Sequence, residues 1–90
     1  SPLILHFAFY HLDEIKEAQI IQEDIHTLRV KLVPWKVLSE RTRRAVVDGL
    51  HDRLESPSMS VIVEEEAEIA KTKGGKRPFV ITKINVEDYL

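Results

Sequence analysis

Apolar residues along this 90-residue chain follow two spacings, one helical and one alternating. Ser1-Pro2 pairs an N-cap with a proline at the first helical position, and residues 3–12 continue without a glycine, which predicts a short helix. Within it Leu3, Ile4, Leu5, Phe7, Ala8, Phe9, Tyr10 and Leu12 leave only His6 and His11 to face water. A helix apolar on nearly all sides must be covered on more than one. Residues 15–23 and 27–33 read as strands, the second alternating Leu28, Val30 and Leu32 against Arg29 and Lys31, with a hairpin turn at 23–26. Pro34-Trp35 ends the second strand. Ser39 is placed to cap a helix reaching Leu54, with Val46, Leu50 and Leu54 on one stripe beside Ala45. Ser56-Pro57-Ser58 breaks the chain, 59–63 forms a third strand and 79–84 a fourth extended piece. The order predicts an α+β domain, a small mixed or antiparallel sheet with two helices.

The connection 64–78 stands out. It runs at the length where unstructured loops become uncommon unless functional. Its like charges, adjacent glycines and scarcity of apolar anchors predict a mobile segment.

Ninety residues suffice for one compact domain, burying about 60 to 65% of the surface exposed by the unfolded chain. Apolar residues at 43% and charged residues at 31% suit a globular domain. The greasy first helix then implies cover from outside, by a neighbouring domain or by a second copy in a homodimer. The chain begins with serine, so residues 1–90 are expected to be one domain cut from a longer protein. No apolar run approaches the roughly 20 residues that span a bilayer, and no membrane insertion is expected. The absence of cysteine removes disulfides, thiolate metal sites and thiol nucleophiles, and fits a reducing, cytoplasmic setting.

Charge is sorted along the chain. The net charge is −2, yet residues 1–70 carry −5, residues 71–83 carry +5 with no acid, and the last seven carry −2. Lys71, Lys73, Lys76 and Arg77 surround Thr72, Gly74 and Gly75, joining backbone freedom to cations in a way that suits an anion such as phosphate. A solvated basic turn is the other reading of the same residues. A P-loop is excluded, since it needs glycine at Ala70 and serine or threonine at Arg77.

Other chemistry finds little support. His6 and His11 lie five apart, off the spacing that puts two metal ligands on one helical face. Glu64, Glu65, Glu66 and Glu68 lack calcium-loop spacing, and their charge is placed to complement the lysines that follow. Ser39, Ser56, Ser58 and Ser60 sit in a cap, a breaker or a strand with no G-x-S-x-G elbow. Trp35 beside a basic loop would suit nucleic acid, but the net charge is negative and the aromatics are not interleaved with the lysines, so no nucleic-acid partner is expected.

An ordered series of segments resembles one family. Ile15-Lys16-Glu17-Ala18-Gln19-Ile20-Ile21-Gln22 is similar to the strand "(V/I)-x-E-Y-Q-(I/F)-(I/V)-(Q/E)" of the C-terminal domain of adenylate-forming enzymes, in the branch containing phenylacetate-CoA ligase, coenzyme F390 synthetase and CapK-like capsule-biosynthesis proteins. Leu28 to Val33 resembles the following strand. Residues 68–81 resemble "E-I-P-R-T-x-S-G-K-x-R-x-V-I", with Ala70 in place of the proline, Gly74 in place of the serine, and Pro78 where the arginine stands, Arg77 being next door.

The resemblance implies that Lys76 is the catalytic adenylation lysine and that Thr72, Lys73, Gly74, Gly75 and Arg77 support a phosphate loop. It also implies a large N-terminal domain in the same parent chain, holding ATP, Mg2+ and coenzyme A, with none bound by this chain alone. The expected activity of that parent is AMP-forming acid–CoA ligation. The alternative is a noncatalytic α+β binding or dimerisation module with an anion-binding basic loop.

Overall fold

The computed structural model describes residues 5–9, 11–85 and 87, the side chain of Phe7 excepted. Four strands, β1 (Ile15–Asp24), β2 (Thr27–Pro34), β3 (Ser60–Glu65) and β4 (Val80–Thr82), form one sheet in the order β3-β2-β1-β4. Among the described residues one regular helix, α1 (Glu40–Leu54), lies between β2 and β3 in the chain. The fold is α+β and the sheet is mixed: β1 and β2 form an antiparallel hairpin, while β3 runs parallel to β2 and β4 parallel to β1.

The first helix differs from its expected form. Leu5 and His6 are helical, Phe7–Phe9 form a 3-10 turn, and His11 adopts a left-handed conformation with φ of 68°, where a helix cannot continue. The Leu12 amide closes the turn on the Phe9 carbonyl at 3.2 Å. Leu3, Ile4 and Tyr10 and the Phe7 side chain, on which the argument for outside cover rested, lie outside the described residues. Of the rest, Ala8 is buried and Leu5, Phe9 and Leu12 pack half-buried against the core.

Helix α1 begins where its cap dictates. The Ser39 Oγ accepts the Thr42 amide at 3.2 Å, and the Glu14 carboxylate accepts the Ser39 amide at 2.7 Å and its hydroxyl at 2.9 Å. Those bonds tie the helix start to the turn before β1 and hold the Glu14 carboxyl below its ordinary range. One apolar stripe, Val46 and Leu50, meets Ile20, Leu28, Val30 and Leu32 of the hairpin, and five of these six side chains are fully enclosed. Each contributes about 1.5 to 3 kcal/mol by leaving water. At Gly49 an added Cβ would lie 3.3 Å from the Ala8 carbonyl, so the glycine lets the 3-10 segment seat on the helix.

On the opposite face of the sheet, Arg29 of β2 bonds Glu23 of β1 at 3.1 Å and Glu64 of β3 at 2.8 Å, and Lys83, just beyond β4, reaches Glu23 at 3.1 Å. This chain of pairs spans the width of the sheet. Hydrogen bonds from Lys83 and Arg29 lower the Glu23 carboxyl. Strand β3 runs two residues further than its pattern predicts, because Glu64 and Glu65 pair with Lys31 and Leu32 of β2. Parallel pairing also fixes direction: β3 ends and β4 begins at the same end of the sheet, where β1 starts and β2 stops. The connection between them therefore stays at that end.

Candidate functional site

The connecting segment is built from two feet and a hairpin arm. Its first foot is Ile69, 3% exposed, an apolar anchor that the expectation of an unanchored loop did not include. The Arg77 Nε donates to the Ile69 carbonyl at 3.0 Å and closes the base of the arm. Its second foot is Pro78, whose carbonyl accepts the Gln19 Nε2 at 3.0 Å. Next to it the Ile20 amide donates to the Phe79 carbonyl at 2.7 Å, where the parallel ladder with β4 begins.

Between the feet the chain turns tightly. The Thr72 carbonyl accepts the Gly75 amide at 2.9 Å, and the Thr72 amide donates to the Lys76 carbonyl at 2.7 Å. That pair of bonds defines a three-residue hairpin loop, which requires a left-handed residue at its third position. Gly75 supplies it with φ of 78°. The Thr72 hydroxyl accepts the Lys76 amide at 3.3 Å, so Thr72 shapes the turn through three groups. Gly74 is less constrained, since an added Cβ would meet only the Thr72 hydroxyl at 3.9 Å. A serine in that place would fit.

Lys73 sits in the turn and Lys76 just after it on the returning limb, with Lys71 just before the turn. All three are exposed and, among the described residues, none makes an ion pair. Two of the four acids expected to complement them are engaged elsewhere: Glu64 binds Arg29, and Glu65 lies 3.6 Å from Arg43 of α1. Strand pairing directs those two carboxylates into the sheet and helix, away from the arm. Among the described residues no group of three or more histidine or acidic side chains is placed to hold a metal ion, and no helix is long and apolar enough to cross a membrane.

A cleft of about 370 Å³ opens at the arm's base, lined by His6, Phe9, Ile15, Ile69, Arg77 and Phe79 among others. The His6 ring stacks on Phe79 at 3.8 Å, and Phe9 meets the same ring edge-on at 5.6 Å. His6 therefore serves as an aromatic wall. Nearby, the Lys16 ammonium lies 5.5 Å from the centre of the Trp35 ring, and Trp35 and Val37 are 65% and 73% exposed. Lys16 occupies the bulge between Ile15 and Glu17.

Gln19 and Ile69 escaped the sequence reading. Gln19 carried two signals, a primary amide in mid-strand beside Ile20 and Ile21, where a polar side chain needs a partner, and its place at the glutamine of the strand pattern it resembles. The structure brings Lys71, Thr72, Lys73, Gly74, Gly75, Lys76 and Arg77 into one arm, with Arg77 turned to holding its base.

No curated protein and no solved structure matches the chain. A family model described as the CapK C-terminal domain matches residues 2–83, a span that includes the hairpin, the capped helix and the whole lysine arm. With its segments in the family's order over nearly the full length, the chain belongs to the CapK C-terminal domain family.

Proposed function

We propose that this chain is the mobile C-terminal domain of an ATP-dependent ligase that activates a carboxylic acid as its acyl-adenylate and then forms the acyl-CoA thioester, with Lys76 as the adenylation lysine. The observation that carries the reading is the arm itself: three exposed lysines that, among the described residues, have no acidic ion-pair partner, on a hairpin fixed at both feet. Charge left uncompensated in this way is available to a phosphate oxygen.

During adenylation negative charge gathers on the α-phosphate and on the attacking carboxylate. Lys76, brought there when the domain docks, would stabilise both, an electrostatic contribution made only in the closed state. The donor set fits phosphate and not a metal, so ATP as substrate, Mg2+ and coenzyme A belong to a large N-terminal domain of the parent, where Mg2+ would supply charge neutralisation at the phosphates. Withdrawal of the arm would then open the way to the thioester step. Substrates of this kind place the protein in the cytoplasm.

The test is Lys76→Ala in the full-length parent. Acid-dependent pyrophosphate exchange should fall by a factor of about 100, while conversion of supplied acyl-adenylate to thioester persists. Equal loss in both half-reactions would make Lys76 structural. A parent that binds anions through the arm but catalyses no exchange would instead be the noncatalytic module.

A further inference from the structure

Gln19 is buried, 5% exposed, in a strand whose neighbours Ile20 and Ile21 are enclosed. Burying a primary amide without a partner costs about 1 to 3 kcal/mol, so its donor is committed to the Pro78 carbonyl 59 residues away. The acceptor is significant. Proline has no amide to offer a sheet, and its ring fixes φ, so the carbonyl is its one means of attachment. Pro78 stands two residues after Lys76, within about 7 Å of it along the backbone. A shift at this foot is therefore carried to the lysine, whereas a shift at Ile69 must pass through Arg77 or the whole turn.

We propose that Gln19 is a positioning residue that sets the reach of the Lys76 arm by clamping Pro78 to the central strand β1. The proposal rests on the reading of Lys76 above and adds to it the device that places the lysine. A displacement of about 1 Å at a reacting centre costs on the order of 100-fold, and the clamp guards against a displacement of that size. Gln19 touches no substrate; it acts through the arm.

The experiment uses the full-length parent carrying Gln19→Met, which keeps the volume and removes the donor, with Gln19→Asn, which keeps the amide and shortens its reach, as the second variant. Pyrophosphate exchange should drop about 10- to 100-fold in kcat with KM for ATP and acid unchanged, the thioester half-reaction should persist, and in a Lys76→Ala background the substitution should cost nothing further. Amide hydrogen exchange at Gly75 and Lys76 should accelerate in the same variants. Equal loss in both half-reactions, a full additional loss in the Lys76→Ala background, or unchanged exchange at those two amides would each overturn the proposal. If Lys76→Ala leaves adenylation intact while Gln19→Met still frees the arm's amides, the clamp stands and the catalytic reading falls.

Discussion

The two ends of the sheet hold the same kinds of charged residue and use them differently. Toward the β1–β2 hairpin, Glu64, Arg29, Glu23 and Lys83 form a continuous series of pairs across the strands. At the other end Lys71, Lys73 and Lys76 project on a hairpin arm and, among the described residues, pair with no acid. The difference follows from backbone spacing. Strands held about 5 Å apart bring opposite charges within reach of each other, each exposed pair adding little by itself. The arm extends beyond the sheet, and among the described residues none of its three lysines is paired with an acid. Paired charge here ties strands together, and the unpaired charge of the arm is what the proposed function assigns to a phosphate ligand.

Substitutions at the two ends can break that contrast. The largest effect is expected at Lys76: under the proposed function, alanine there should lower adenylation by the parent about 100-fold, and it should leave the melting temperature unchanged, since among the described residues no ion-pair partner is lost. A fall in thermal stability measured by calorimetry would count against the division of labour. Next comes Ser39→Ala, which removes the α1 cap and one of the two groups bonded by Glu14, and should cost about 1 to 2 kcal/mol in denaturant unfolding without altering adenylation per folded molecule. Gly75→Ala forces a side chain into the left-handed turn and should cost roughly 1 kcal/mol. Unlike Ser39→Ala it should also slow adenylation, because the turn carries Lys76.

A smaller effect is expected at Arg29. Arg29→Met should lower the melting temperature modestly, with the gap from wild type narrowing in high salt, because pairs this accessible are screened. A salt-independent loss would assign the effect to packing of the arginine stem. The gentlest perturbation is acid. Glu14, bonded by the Ser39 amide and hydroxyl, Glu23, bonded by Lys83 and Arg29, and Asp24, bonded by the His26 amide, all have lowered carboxyl pKa values. Groups held below their unfolded values contribute stability that is full above about pH 4.5 and is lost as the pH falls through the folded values. Unfolding followed by circular dichroism from pH 7 to pH 2 should therefore show decreasing stability below about pH 4.5. A flat profile would mean that these bonds persist in the unfolded chain or form in neither state.

Some of this was legible from residues a few positions apart. Leu28, Val30 and Leu32 alternate with Arg29 and Lys31, and the alternation places β2 with one face on the core. Ser39 announced the start of α1, and Val46 and Leu50 its buried stripe. The basic, glycine-containing turn at 71–77 is likewise local, and it is one of the ordered series of segments that carried the resemblance to CapK-like C-terminal domains, which the match over residues 2–83 bears out.

Sequence by itself thus determined the β1–β2 hairpin, the capped helix and the cationic turn, because each depends on neighbours within one turn or one strand. Tertiary structure decided the rest. The mixed order β3-β2-β1-β4 keeps the lysine arm at the start of β1, and this is settled by which apolar faces can be buried together. It sends Glu64 to Arg29 and Glu65 to Arg43 instead of to the adjacent lysines, because strand direction aims side chains more strongly than sequence proximity does. It also joins Gln19 to Pro78 across 59 residues. No local pattern encodes that bond, which forms only when β4 docks beside β1 and a buried amide must find an acceptor.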